Sequence, residues 1–461
     1  MGGGEMQLIA PASSAEAAQM EFIVGAPKMS FFKNAFKTHR NFAMESIRES
    51  FQSKPVLGNS RNRFTCTFSG RRADALKEVY ISFKLPDIYS NDQLRFRWID
   101  NIANHMIYRA SIVLDNGRSI DDLYGEYIDV WNAMSMSSGR QSVYNRMAGN
   151  DPALFSPARK RQRVRMRNNM LEYQSYPGST IESGVPSIPG RRYYMPLPFW
   201  FTRNSSLVLP LCALKLQTVS IHVECRSVDE LFQVYDPIAM EYVSPNTYNE
   251  RFGTNISIAD FVADGSNTID LDAFLECQYI YLDREERMEM TLSHHKLLVE
   301  QVFRFEQTGV TNSAVINLQL NNPVKEFIWF TRRSDAHKRN EWSTFVERDG
   351  SRILRSGKIV WNKNYERIEE KPAEFFEYLQ PYQHHSGAGR PGIYSYSFAL
   401  FPEKQNPSGV YNTGIITANQ LVVNVNPPAP ESGVEYDVVV YALAYNIFEA
   451  MSGIGHLKFT P

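Results

Sequence analysis

The chain alternates, and that alternation limits what it can become. In Glu78–Leu85, Val79, Ile81, Phe83 and Leu85 share one side, while Tyr80, Ser82 and Lys84 share the other. Val219, Ile221, Val223 and Cys225 alternate with Thr218, Ser220, His222 and Glu224. Ile316, Leu318 and Leu320 alternate with Val315, Asn317 and Gln319, and Leu421, Val423 and Val425 repeat the theme. A period of two is the mark of a strand with one face in a core and the other towards water or a polar neighbour. Asp437–Tyr445 is apolar on both faces, as befits a strand in the middle of a packed assembly. Ser111–Leu114 runs into Asp115-Asn116-Gly117, a tight turn, because Asn and Gly tolerate positive φ. Helical patterns are short: Arg97–Tyr108 predicts three turns, and Pro372–Leu379 a shorter helix opening at its proline.

Many short strands, 26 Gly, 24 Pro and few helices indicate an all-β sandwich class. The abundance of Phe (28) and Tyr (24), which suit half-buried pleated surfaces, points the same way. At 461 residues, two sandwiches in series fit better than one barrel. The junction is expected near Arg226–Pro237, after one alternating strand and before a new set. No clean sequence repeat links the halves. Three stretches read as loops: Ser135–Pro196, Tyr382–Gly392 and Asn426–Gly433.

A formal net charge of −1 argues against coating a genome, since each phosphate contact needs a cation. Cys66, Cys212, Cys225 and Cys277 form no CxxC pair and read as small buried hydrophobes in a reducing compartment. No apolar run approaches the ~20 residues that span a bilayer. The first residues lack the basic flank and apolar core of a signal peptide, so the chain reads as made in the cytoplasm.

Motifs for chemistry are weak. Gly387-Ala388-Gly389-Arg390-Pro391-Gly392 fits GxGxxG, but a loop precedes it and a strand follows, so it reads as a flexible loop. His294-His295 and His384-His385 are neighbours, which strands send to opposite faces, and they read as surface or strand-end histidines. There is no HExxH, GxSxG or Walker loop, and no cofactor is expected. The basic run Arg159, Lys160, Arg161, Arg163, Arg165 and Arg167 supports two readings. One is a loop for nuclear import or an acidic partner; the other is a solvated loop, or a strand paired with carboxylates.

Five segments then stand out together: Ser30–Glu45 (SFFKNAFKTHRNFAME), Ile120–Trp131 (IDDLYGEYIDVW), Leu197–Val223 (with FWF and LVLPLCAL), Tyr394–Gly409 (YSYSFALFPEKQNPSG) and Tyr441–Phe459 (YALAYNIFEAMSGIGHLKF). In order and spacing they resemble the major capsid proteins of nucleocytoplasmic large DNA viruses, the iridovirus, phycodnavirus and mimivirus-like group. Asn406 and His456 depart from the usual Gln and Leu of those signatures.

The resemblance implies two tandem eight-stranded jelly rolls with short helices and long loops. It implies an N-terminal arm over 1–50, a first roll over 51–228 carrying the 135–196 loop, and a second roll over 229–461. It further implies a homotrimer of pseudo-hexagonal outline that tiles an icosahedral shell and meets neighbouring capsomers, minor capsid and penton proteins, and an internal membrane or its proteins. The virion shell is the implied location, with nuclear passage if the basic run serves import. Phe31, Phe32, Lys33, Phe36, Lys37 and Phe42 are then inner-face contacts, and the 135–196 loop rises outward or clasps the next subunit. Pro407, Ser408 and Gly409 form a signature turn closing the Ser395–Phe401 strand. The competing expectation is a two-sandwich carbohydrate-binding or carbohydrate-active protein, since that architecture serves both classes.

Overall fold

A computed structural model describes residues 39–68, 72–115, 117, 119–151, 160–166, 169–175, 181, 184–361, 365–415, 418–428 and 433–459, with backbone alone for 160–166, 169–175 and 365–367. The chain divides into two units, Met1–Phe42 and Ala43–Pro461, and the packed strands belong to the second.

Sixteen strands among the described residues build two sandwiches in chain order. In the first, β1 is Phe42–Ser50, β2 Asn62–Phe68, β3 Ala75–Lys84, β4 Ile107–Leu114, β5 Ser119–Tyr124, β6 Arg192–Pro196, β7 Val219–Cys225 and β8 Phe274–Leu282. In the second, β9 is His295–Val310, β10 Ser313–Asn317, β11 Pro323–Arg333, β12 Leu354–Trp361, β13 Tyr365–Pro372, β14 Ile393–Ser397, β15 Asn419–Val425 and β16 Tyr436–Met451. The first sandwich pairs sheets β1-β8-β3-β6 and β2-β7-β4-β5. The second pairs β9-β16-β11-β14 and β10-β15-β12-β13. Adding eight to each label in the first set gives the second. Each half is therefore the same jelly-roll permutation, although no residue repeat announces it. Tyr411–Asn412 and Ile454–Leu457 extend the β9-containing sheet by pairing with β11 and β16.

The alternating segments are strands in the expected register. Val79, Ile81 and Phe83 are buried on β3, Val219, Ile221, Val223 and Cys225 on β7, and Leu421, Val423 and Val425 on β15. Each such side chain contributes roughly 1.5–3 kcal/mol by leaving water. The doubly apolar β16 runs between β9 and β11 and is covered on both faces. Val438, Val440 and Ala442 join Phe327 and Trp329 inside the second sandwich. Val439, Tyr441 and Leu443 join Ile328 and Phe330 in the core shared with the first sandwich. All four cysteines are buried and free.

Several boundaries differ from expectation. Within Arg97–Tyr108, Phe96–Trp98 is a strand paired with Phe232–Val234, and only Ile102–Met106 is helical. Asn101, left-handed at φ 52°, separates the two, so tertiary pairing overrides local helical pattern. Pro372 ends β13, and the helix after it, residues 373–384, is longer than expected and contains a π turn at Phe375–Leu379. Ser135–Pro196 is not loop throughout. It holds a helix, Ser138–Ala148, which buries only Tyr144 and Ala148 and so shows little apolar periodicity. It also holds an antiparallel strand pair, Lys160–Met166 with Asn169–Ser175. Phe42–Ser50, expected in the arm, pairs with β8. Phe274–Leu282, expected beyond the junction, pairs with β3 from Phe274↔Ser82 to Ile280↔Ala75.

Candidate functional site

The second sandwich presents the outer face of β9-β16-β11-β14 to the first, and charges are buried along that seam. The first sandwich meets it with β5, with helix α1 (Gly125–Ser135) and with the turn at Trp200–Thr202. Tyr127 of α1 lies 5.3 Å from Tyr441 between ring centroids, and Trp200 lies 5.4 Å from Phe448. Gln301 donates to the Ile120 carbonyl at 2.6 Å. Apolar packing brings the sheets together, and each ion buried between them is matched by a partner that offsets its loss of water.

Glu126, in the first turn of α1, gathers three arginines. Arg226 donates to its Oε1 at 2.9 Å and Arg332 at 2.8 Å, while Arg304 stands 4.0 Å from Oε2. Arg226 comes from the first sandwich, and Arg304 and Arg332 from β9 and β11. Burial alone would raise the carboxyl, but Arg332, Arg226 and Arg304 outweigh it and hold it down at about 2. One turn on, Asp129 accepts from Asn101 at 2.8 Å and Asn104 at 3.2 Å, and pairs with Arg390 of the second sandwich. Its carboxyl too is buried, yet Arg390 and His105 hold it below the usual range. A third group centres on Glu300 of β9, paired with Arg203 and with Lys325 Nζ at 2.5 Å.

The GxGxxG segment, read as a free loop, is docked against the end of α1. Gly387 N–H donates to the Met134 carbonyl at 2.7 Å and Gly389 N–H to the Ala133 carbonyl at 3.2 Å, so the loop satisfies the C-terminal carbonyls of α1. A Cβ on Gly387 would lie 2.5 Å from the Met134 oxygen, which is why glycine stands there. His385, read as a surface residue, has a fully buried side chain. Its Nε2 lies 2.6 Å from Glu326 and its Nδ1 3.2 Å from Glu403. Burial disfavours the charged ring, but Glu326 and Glu403 outweigh it and raise its pKa to about 9. His295 Nε2 bonds the Met290 carbonyl at 2.6 Å, and His294 lies 3.9 Å from Glu449.

The signature turn holds one end of this network. Ser408 accepts from Phe401 N–H on Oγ at 2.9 Å and from Leu400 N–H on its carbonyl at 3.3 Å. The loop so closed delivers the Pro402 carbonyl to Lys325 at 2.7 Å and Glu403 to His385. The preceding strand ends at Ser397, earlier than the expected Phe401, because Ser397 Oγ turns to bond Ala399. The other nominated residues lie elsewhere. Phe42 opens β1 and is 47% exposed, whereas Phe31, Phe32, Lys33, Phe36 and Lys37 lie outside the described residues. Lys160, Arg161, Arg163 and Arg165 form a strand, not a loop, with Arg163 opposite Glu172. Arg159 and Arg167 lie outside the described residues. Sequence reasoning missed Glu126, Asp129, Glu300 and His385. The short spacings that mark catalytic or metal motifs do not connect them to their partners.

Among the described residues, no group of three or more His, Cys, Asp or Glu is arranged to hold a metal, and no helix is long and apolar enough to cross a membrane. Two family models match the chain: "Major capsid protein N-terminus" over residues 30–283 and "Large eukaryotic DNA virus major capsid protein" over 286–456. The major capsid protein of Pyramimonas orientalis virus is 29% identical, with both chains covered in full. That of Phaeocystis pouchetii virus is 26% identical, again over all of both chains. Among solved structures, the capsid of PBCV-1 superposes with a TM-score of 0.68 at 20% identity, covering 94% of this chain and 100% of that one. The Faustovirus major capsid protein gives 0.67 at 11% identity, covering 96% and 95%. Both share the double jelly-roll fold.

Proposed function

Because the chain belongs to the family of large eukaryotic DNA virus major capsid proteins, we propose that three copies close head to tail into a capsomer of pseudo-hexagonal outline that tiles the facets of an icosahedral shell. The protein is a structural component of the virion capsid, not an enzyme. The observation that carries the finer reading is the repeated strand permutation. Two like blocks per chain, held at one mutual rotation by the buried charges of the seam, put six like blocks around a three-chain ring. A near-hexagon tiles a flat facet with repeated contacts, each of which can be weak because many act together. A head-to-tail contact that closes produces a ring rather than a filament. As an obligate contact it should bury more than ~2,000 Å² in total.

The two rolls divide best at the helix Arg284–Leu292, with the first ending at Leu282 and the second beginning at His295. Strand pairing and the break between the two matched regions both support this division over one at 228/229. In this reading the residues before β1 face the shell interior, towards minor capsid and penton proteins or a membrane. The strand pair at 160–175 faces a neighbour or an import receptor. Light scattering on the purified protein tests the capsomer directly. A stable species of three chain masses is expected; a folded monomer, unchanged on co-expression with its viral partners, overturns it.

A further inference from the structure

The ring contact between copies can be assigned from the contact within one copy; the assignment rests on the trimer reading and names its surfaces. In a ring of six like blocks, the step from a second roll to the next copy's first roll repeats the step from first roll to second roll inside a chain. We propose that helix α2 (residues 373–384) and the Leu400-Phe401 turn dock on the outer face of β1-β8-β3-β6 of a second copy.

The equivalence is topological. Helix α1 follows β5, and α2 follows β13. The Trp200–Thr202 turn follows β6, and the Leu400-Phe401 turn follows β14 at nearly the same distance. In the first roll both elements are buried against the second: Tyr127, Ile128, Trp200 and Phe201 are fully covered. In the second roll the counterpart helix buries one side, with Phe376 fully covered, and leaves its other side and the turn exposed. Tyr382 is 87% exposed, Leu400 65% and Phe401 52%. Leu379, three residues before Tyr382 and so on the same side of the helix, is exposed as well. The helix and the turn form one surface, since the His384 ring bonds the Leu400 carbonyl at 3.3 Å.

The receiving face shows the same asymmetry. The outer face of β9-β16-β11-β14 is covered by the first roll, with Phe330 and Tyr441 buried there. The matching face of β1-β8-β3-β6 carries Met44 and Tyr194, both exposed. Register puts Tyr194 in a row with Ser82 and Phe274 across three strands; those two are already covered, Phe274 by Arg48 at 4.3 Å and Arg192 at 4.9 Å, so Met44 and Tyr194 are the open apolar groups of this face. A head-to-tail ring needs two different surfaces that fit each other, and each chain leaves one of each uncovered. Clustered exposed apolar side chains, as at Leu379, Tyr382, Leu400 and Phe401, mark such contacts.

Two paired variants test this with wild type as the control. The helix variant carries Tyr382→Asp and Leu400→Asp; the sheet variant carries Met44→Asp and Tyr194→Asp. All four positions are exposed, so each variant should fold with the wild-type circular dichroism spectrum, at a lower thermal midpoint once the trimer contact is gone, and Tyr382→Arg and Tyr194→Arg alone stand ready if either fails to fold. Light scattering should drop from three chain masses to one for each variant. Mixed in equal amounts, they should give a species of two chain masses and stop, because one intact contact remains and the ring cannot close. A trimer in either variant, or no association in the mixture, overturns the assignment and leaves the capsomer intact. A monomeric wild type overturns the capsomer reading itself.

Discussion

Asp129 and Arg390 lie 261 positions apart in the chain and form one ion pair, joining α1 of the first roll to the glycine-rich loop of the second. Asp129 is 5% exposed in its side chain and Arg390 30%, so the two partners are not equal. Removing Arg390 takes the guanidinium from a buried carboxylate that keeps Asn101, Asn104 and His105, at a cost of up to about 3–5 kcal/mol. Removing Asp129 frees a guanidinium that can still reach solvent, and should cost less. The double variant should be more stable than the sum of the two losses predicts, since the pair shares one interaction. Urea unfolding of Arg390→Ala, Asp129→Ala and the double variant measures all three. A loss below about 1 kcal/mol for Arg390→Ala would show that the pair does not hold the rolls together.

His385 sets an alkaline limit on the same seam. Its folded pKa of about 9 lies above the ordinary 6.5 because Glu326 and Glu403 outweigh its burial. A raised pKa of this kind contributes stability in full below about 6.5 and loses it as pH rises through 9. The difference amounts to roughly 3 kcal/mol. The wild-type melting temperature should therefore fall between about pH 7 and pH 10, and His385→Gln should be less stable at about pH 7 with a flatter profile. Parallel profiles for the two proteins would remove His385 as the cause.

Much of the fold was legible in the sequence and little of the seam was. Period-two alternation at Val79–Leu85 and Val219–Cys225 is a local pattern, imposed by one buried face, and it placed strands and core together. The doubly apolar Asp437–Tyr445 revealed a strand covered on both sides, though not by what. Glu126, Asp129 and His385 left no such trace. A buried charge looks like a surface charge until its partner is known, and the partners that join the two rolls here stand as far as 261 residues away. Gly387 misled in the other direction. Its glycine serves close approach to the Met134 carbonyl, which sequence cannot tell from flexibility. The repeated roll stayed hidden for a related reason: strand order is kept between the halves by pairing, not by residue identity.

Glu126 makes a sharper test of what buried charge does. Replacing it by Gln leaves Arg226 and Arg332 facing each other, 4% and 9% exposed in their side chains, with no carboxylate between them. The expected loss is about 3–5 kcal/mol. An apolar triad (Glu126→Leu with Arg226→Met and Arg332→Met) should recover most of that stability, because the desolvation cost of these three groups disappears together while Arg304 keeps Glu306. Scanning calorimetry distinguishes these outcomes. If the apolar triad is as unstable as Glu126→Gln, the defect is one of packing and not of stranded charge. With the Glu126 carboxyl held at about 2, its contribution is present above pH 4.5 and lost only as pH falls towards 2.

Gly409 ties the signature turn to this network. It sits at φ 147°, a conformation that side chains rarely adopt, and a Cβ there would stand 2.5 Å from the Phe398 carbonyl oxygen. Backbone cannot yield as a flexible side chain can, so Gly409→Val combines strain of about 1–3 kcal/mol with overpacking of similar size. The consequence should reach beyond the turn, because the loop it closes brings Pro402 to Lys325 and Glu403 to His385. Gly409→Val should therefore lower soluble yield and melting temperature, and also flatten the alkaline fall assigned to His385. Gly409→Ala should do so less. Wild-type yield and an unchanged pH profile in the valine variant would mean that the turn is only a connection. A lowered melting temperature with the profile intact would confine its role to local strain. Only the two effects together would tie Gly409 to the charged seam, since the turn reaches His385 through Glu403.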